Sequence, residues 1–126
     1  MKKAVIDASA LLALLAQEKG SQEVEKYLPH CMMSAVNFSE VIMVLIRKGV
    51  PESKAISITN DLVYDVIPFD KAQGIETAKL NQKAKNLGLS LGDRACLTLG
   101  QIKKLPIVTA DKIWKKLKGF DVILIR

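Results

Sequence analysis

The sequence predicts an α/β layer fold with a mostly parallel central sheet of about five strands flanked by helices. Two observations lead there: short β-branched apolar runs alternate with stretches of helical apolar spacing, and the strand runs are too continuously apolar for a sheet with one solvated face. Lys3 to Ile6 reads as the first strand and ends in Asp7-Ala8-Ser9, after which leucine and alanine at helical spacing carry a helix to Gly20. Ser21 is expected to cap a short helix with Val24, Tyr27 and Leu28 on one side, stopped by Pro29. Cys31 to Met33 reads as a small strand. Ser34 caps the next helix, Ala35 to Lys48, which Gly49 closes, and Pro51 suits the first turn of another through Asp61. Leu62 to Ile67 has strand composition and closes at Pro68-Phe69-Asp70. Asp70 is placed to cap a helix with Ile75, Ala78 and Leu87 on its apolar side, ending at Gly88, and Ser90-Leu91-Gly92-Asp93 is a capping-box start for a helix to about Lys104. Pro106 to Thr109 is the fourth strand, Asp111 opens a lysine-rich helical turn or two through Lys118, and Val122 to Ile125 is a buried final strand.

At 126 residues, with 49% hydrophobic and 25% charged side chains, the chain is expected to form a single domain over residues 1–126, with a core that needs no disulfides. Cys31, Cys96 and the lone His30 cannot assemble a structural zinc site, and reduced thiols fit a cytoplasmic protein. Lys2 and Lys3 before the apolar stretch Ala8 to Ala16 imitate a secretory signal, but Asp7 interrupts it and Leu14 stands where a small residue precedes cleavage, so folded structure is expected there. No stretch approaches the length of about 18 apolar residues that spans a bilayer, and no membrane partner is expected. Nineteen basic against thirteen acidic residues give a net charge of +6. Residues 66–126 hold twelve basic and five acidic side chains, so the positive field belongs to the second half and favours a polyanion such as nucleic acid.

In a parallel sheet every strand's carboxyl end, and the start of the helix after it, lies on one edge, where ligands bind. Asp7 ends the first strand, Asp111 follows the fourth by two residues, Asp93 lies in the first turn of its helix and Glu40 in the second turn of its own. Each has an alternative explanation as a cap or dipole partner, Glu40 least so, since it stands among Val36, Met43 and Val44 with no basic residue three or four positions away. Capping does not explain four acids at one edge with only Arg94 beside them. They would repel one another unless a cation sat among them. Oxygen-only ligands favour Mg²⁺ or Mn²⁺, which can activate water and polarise a phosphoryl oxygen, the equipment of phosphodiester hydrolysis.

The order Val5-Ile6-Asp7-Ala8-Ser9, Asn37-Phe38-Ser39-Glu40, Leu89-Ser90-Leu91-Gly92-Asp93 and Thr109-Ala110-Asp111 with Trp114 resembles the PIN-domain ribonucleases, specifically the VapC-type toxins of prokaryotic toxin–antitoxin systems. The resemblance spans nearly the whole chain. It implies a doubly wound PIN-like domain, Mg²⁺- or Mn²⁺-dependent endonucleolytic cleavage of RNA, a homodimer, and a cognate antitoxin that blocks the acidic pocket. By the same resemblance Asp7, Glu40, Asp93 and Asp111 are the metal-binding catalytic acids and Ser9 and Thr109 help to hold them; neighbouring Asn37 either supports the site or serves the helix surface. Arg94, Lys112 and Lys115 are candidate RNA contacts beside the acids, and Trp114, near Ile113 and Leu117 at helical spacing, is expected in the core.

Two other readings compete. A phospho-receiver domain also gathers acids at strand ends, but it calls for adjacent acids after the first strand and a lysine after a late one, whereas Asp7 stands alone and Thr109 precedes Ala110-Asp111. A catalytically silent module could use the basic half to hold RNA or a protein.

Overall fold

The computed structural model describes residues 3–83 and 86–126. Its sheet has five strands, all parallel: β1 (Val5–Ile6), β2 (Met32–Ser34), β3 (Asp65–Ile67), β4 (Ile107–Thr109) and β5 (Val122–Leu124). The strand order is β3-β2-β1-β4-β5. The chain winds from β1 outward through β2 to β3, then crosses back and continues on the other side of β1, so the direction reverses between β1 and β4. In open parallel sheets the crevice at such a reversal is where ligands sit. This order also differs from the 2-1-3-4-5 order of flavodoxin- and receiver-type sheets, which removes the structural basis of the phospho-receiver reading.

Alternation along each short strand divides the interior in two. Ile6, Met33 and Val108 point into one core with Leu11, Val24, Val41 and Leu45, beneath α1 (Ala8–Leu15), α2 (Ser21–Glu25), α3 (Ala35–Arg47) and α4 (Glu52–Leu62). Val5 and Ile107 point into the other with Leu80, Cys96, Leu97, Leu99 and Trp114, beneath α5 (Lys71–Lys83), α6 (Leu91–Lys103) and the 3₁₀ turn Lys112–Lys116. Covering on both faces is why the strand sequences carry so little alternation of polarity. Trp114 is fully buried, as its spacing predicts.

Several element ends depart from expectation for local reasons. The first helix ends at Leu15, not Gly20, because Gln17 takes a left-handed backbone (φ 53°). The short α2 is entered from Gly20 (φ 97°) rather than capped by the Ser21 side chain, and Gly20 is obligatory there because a Cβ would collide with Ile125. Pro51 is the residue before α4, not part of its first turn. Leu62 closes α4, so β3 starts at Asp65. Ser34, Asp70 and Ser90 do act as caps: Ser34 Oγ accepts from the Val36 amide at 3.2 Å, Asp70 Oδ1 from that of Gln73 at 2.9 Å, and Ser90 with Asp93 forms the full capping box.

The largest departure is the face of α5. Ile75 and Ala78 are exposed and Leu87 lies in the turn that follows, while Gln73, Thr77 and Leu80 are buried against α6. Polar partners decide this. The Thr77 and Thr98 hydroxyls share a 2.8 Å hydrogen bond between the helices, and Gln73 Nε2 donates to the Pro68 carbonyl at 3.1 Å. Hydroxyls that pair as Thr77 and Thr98 do can be buried in place of apolar groups, whereas Gln73 is paired through Nε2 alone.

The Ser34 cap provides a check on this architecture. Replacing Ser34 with Ala should lower unfolding free energy by about 1 kcal/mol. The denaturant midpoint should fall with an unchanged slope. An unaltered midpoint would show that the cap does not hold α3.

Candidate functional site

Asp7 follows β1 at the reversal point and is 4% exposed. It is the N-cap of α1, its Oδ1 accepting from the Ala10 amide at 2.9 Å. Two hydroxyls complete its surroundings. Thr109 Oγ1, at the end of β4, donates to Oδ2 at 2.6 Å, and Ser9 Oγ lies 2.8 Å from both carboxylate oxygens. Each hydroxyl also accepts a backbone amide from the chain leaving β4: Ser9 from Ala110 at 3.0 Å, Thr109 from Asp111 at 3.0 Å. Because those amides can only donate, both hydroxyl protons are free to point at Asp7. The exits of β1 and β4 are thereby tied together through one carboxylate.

Glu40 extends from α3, and its Oε1 accepts from Asn37 Nδ2 at 2.7 Å. The same amide nitrogen donates to the Gly92 carbonyl at 3.0 Å, in the first turn of α6. Gly92 itself matters to the approach, because the Glu40 carboxylate fills the space that a Cβ at position 92 would need. Asp93 Oδ2 is occupied by the Ser90 amide at 2.9 Å, and Asp111 Oδ1 caps the 3₁₀ turn through the Ile113 amide at 3.1 Å. Three of the four acids therefore do serve as caps, as their positions at element starts predict, and each retains carboxylate lone pairs for other partners.

Asp7, Glu40, Asp93 and Asp111 all line one cavity of about 230 Å³, together with Ser9 and Asn37 and an apolar wall of Ala8, Leu12, Met43 and Val44. Thr109 stands behind Asp7 rather than in the wall. No lysine or arginine is among the lining residues. Arg94 turns instead toward α5, its Nη1 donating to the Thr77 carbonyl at 3.3 Å. Lys112 and Lys115 are solvent-exposed on the turn after Asp111. Gly92 and Leu12 escaped the sequence reading. A glycine inside a helix start, directly before an acid, was the available signal of a close approach.

Burial pushes Asp7 up from 3.8 to about 6, despite the opposing hydrogen bonds from Thr109, Ala10 and Ser9, and the Asp93 charge adds to the rise. The shift corresponds to roughly 3 kcal/mol against the ionised form. Behind the wall, burial raises the Cys96 thiol well above its usual range, with Asp7, Asp93 and Glu40 all contributing, so the fields of three acids overlap there.

The donor set suits a hard divalent cation. It is all oxygen, and no basic side chain among the lining residues neutralises it. Among the described residues no group of three His, Cys, Asp or Glu stands ready to close on an ion. With one oxygen of Asp93 and one of Asp111 held by backbone amides, the donors left for an ion are a few carboxylate oxygens, the kind of set with which Mg²⁺ retains several waters.

The PIN domain profile matches residues 4–119, and the chain belongs to the PIN-domain family. Solved structures of similar fold include a toxin–antitoxin complex from Klebsiella pneumoniae (20% identity, TM-score 0.78, covering 98% of each chain) and the sarcin–ricin loop cleaving toxin VapC20 of Mycobacterium tuberculosis (16% identity, TM-score 0.76, covering 93% of this chain and 95% of that one). VapBC2 from Rickettsia felis, bound to promoter DNA, is a third (12% identity, TM-score 0.72, covering 97% and 98%). No curated protein sequence matches significantly.

The raised Asp7 pKa makes a signed prediction. Below pH 3.8 the carboxyl is neutral whether folded or unfolded and costs nothing through ionisation; as pH rises through about 6 that stability is progressively lost. Asp7→Asn, which keeps a capping oxygen and the shape, should therefore be more stable than the wild type at pH 8, by up to roughly 3 kcal/mol, and nearly equal to it at pH 3.5. Denaturant titrations at the two pH values check this; a variant less stable at pH 8 would contradict the assignment of burial as the dominant cause.

Proposed function

We propose that the chain is a divalent-metal-dependent endoribonuclease acting as the toxin of a toxin–antitoxin pair. The observation that carries the proposal is the cavity at the sheet's reversal point, where Asp7, Glu40, Asp93 and Asp111 line one wall set with no basic residue among them. Membership of the PIN-domain family supports it, as do the toxin–antitoxin complexes among structures of like fold. Asp7, Glu40 and Asp93 would hold Mg²⁺ or Mn²⁺, and Asp111, at the exposed rim, would complete the set. When bound, the ion supplies Lewis acidity toward a phosphoryl oxygen and lowers the pKa of water at neutral pH.

The chain's own groups have separable tasks. Thr109 and Ser9 donate to Asp7 and aim its carboxylate, while Asn37 does the same for Glu40. Leu12, Met43 and Val44 bound the cavity with apolar surface, which limits water around the acids and strengthens their fields. An RNA backbone approaching so acidic a hollow needs compensation, which Lys112 and Lys115, exposed on the turn after Asp111, would offer. Arg94 could add to this only from the α5 side.

An antitoxin would cover this pocket. A second hollow of about 530 Å³, walled by Phe38, Ile42, Met43, Ile46 and Ile56, shares Met43 with the carboxylate cavity and leaves Met43, Ile46 and Ile56 substantially exposed. Apolar surface of that kind is characteristic of a protein-binding face. The reading also includes a homodimer and a cytoplasmic location; among the described residues no helix is long and apolar enough to cross a membrane.

Purified protein should cut a broad pool of cellular RNA in the presence of Mg²⁺ or Mn²⁺. Cleavage should fall by about 100-fold or more in Asp93→Asn, the scale on which loss of a transition-state electrostatic stabiliser is felt, with the circular dichroism spectrum unchanged. Activity that persists in Asp93→Asn, or in excess chelator, would refute the proposal.

A further inference from the structure

Glu40 is the one acid of the four whose place is not set by capping. Asp7 and Asp111 are N-caps and Asp93 belongs to a capping box, whereas Glu40 lies inside α3. Its orientation therefore depends on side-chain contacts, among them the hydrogen bond it accepts from Asn37. That residue is 1% exposed, and its Nδ2 bonds Glu40 Oε1 at 2.7 Å and the Gly92 carbonyl at 3.0 Å. Both partners are acceptors, which fixes which end of the amide is nitrogen. Gly92 immediately precedes Asp93, and the Glu40 carboxylate occupies the space left by its missing Cβ. One buried amide thus joins the acid of α3 to the turn that carries the acid of α6. Asn37 Oδ1 meanwhile is buried with no partner, which is destabilising, so stability alone does not account for an asparagine here.

We propose that Asn37 is a positioning residue that fixes the separation of the Glu40 and Asp93 carboxylates and thereby makes the pocket select a Mg²⁺- or Mn²⁺-sized ion over Ca²⁺. This rests on the reading of the cavity as a divalent-ion site. Mg²⁺ demands oxygens at about 2.0–2.1 Å in a near-octahedral array, while Ca²⁺ accepts about 2.3–2.6 Å and more ligands. A wall pinned on both sides by one amide, with the Glu40 carboxylate already against the α6 backbone, has little room to relax for the larger ion. Removing the pin frees Glu40 to move, at a cost to the ion with the strict geometry and little cost to the tolerant one.

The test is the melting temperature of the full chain, freed of metal by chelator and then titrated separately with MgCl₂, MnCl₂ and CaCl₂. The wild type should be stabilised at lower concentrations of Mg²⁺ and Mn²⁺ than of Ca²⁺. In Asn37→Ala the Mg²⁺ and Mn²⁺ midpoints should rise by about 10–100-fold, as for other residues that orient metal ligands, while the Ca²⁺ midpoint moves much less. Asn37→Ser, which retains a donor, should recover part of the selectivity. In a Glu40→Ala background, Asn37→Ala should add no further change, because the two act as one unit. Gly92→Ala displaces Glu40 from the opposite side and should cause the same loss, which keeps the test decisive if Asn37→Ala fails to fold. Equal weakening for all three ions, or an unchanged ratio, overturns the positioning role while leaving the ion site intact. A wild type that responds to neither Mg²⁺ nor Mn²⁺ overturns the ion site, and the positioning role with it.

Discussion

The buried carboxylate of Asp7 is the constraint on which the rest of the site depends. It lies where the winding of the sheet reverses, and its ionisation is opposed by burial that raises its pKa to about 6. A protein of ordinary stability does not carry such a group without compensation. Part of the compensation is visible: three donors converge on it, from the Ala10 amide and the Ser9 and Thr109 hydroxyls. They do not restore its ordinary pKa, and the neighbouring Asp93 works against them. What remains is an unfavourable charge arrangement that a bound cation would relieve, and this links the energetics of the fold to the proposed chemistry.

The hydroxyl pair also explains why the two strands flanking the reversal point stay in register at their carboxyl ends. Ser9 and Thr109 each take a backbone amide from the segment after β4 and each reach Asp7 after β1. The stretch that delivers Asp111 is therefore held by the same atoms that orient Asp7. On the opposite wall, α3 and α6 are joined through Asn37 and the close approach at Gly92. The cavity is thus built from two halves, one tied by hydroxyls across adjacent strands and the other by an amide across adjacent helices.

Much of this was legible in the residues. The strand–helix alternation gives the fold class, and every expected strand is present among the described residues, four of them shorter than expected and the second, Met32–Ser34, shifted by one residue. The acids could be placed at one edge because parallel topology puts all strand exits there, and Asp7, Glu40, Asp93 and Asp111 do line one cavity. What the sequence concealed depends on partners distant along the chain. The inner face of α5 is polar because Thr98 and Pro68 offer hydrogen bonds to Thr77 and Gln73, and periodicity counts only apolarity. Arg94, adjacent to Asp93 in sequence, turns toward α5 because successive helical residues point in different directions. Gly20 replaced Ser21 at the start of α2 because the tail at Ile125 crosses there, and no local pattern foretells that crossing.

The most direct test is crystallographic. Crystals grown with Mn²⁺ and measured for anomalous scattering should show a peak inside the cavity, with oxygens of Asp7, Glu40 and Asp93 within coordinating distance. Anomalous density confined to the surface, with the cavity holding water alone at saturating Mn²⁺, would contradict the claim that these carboxylates are gathered to hold an ion.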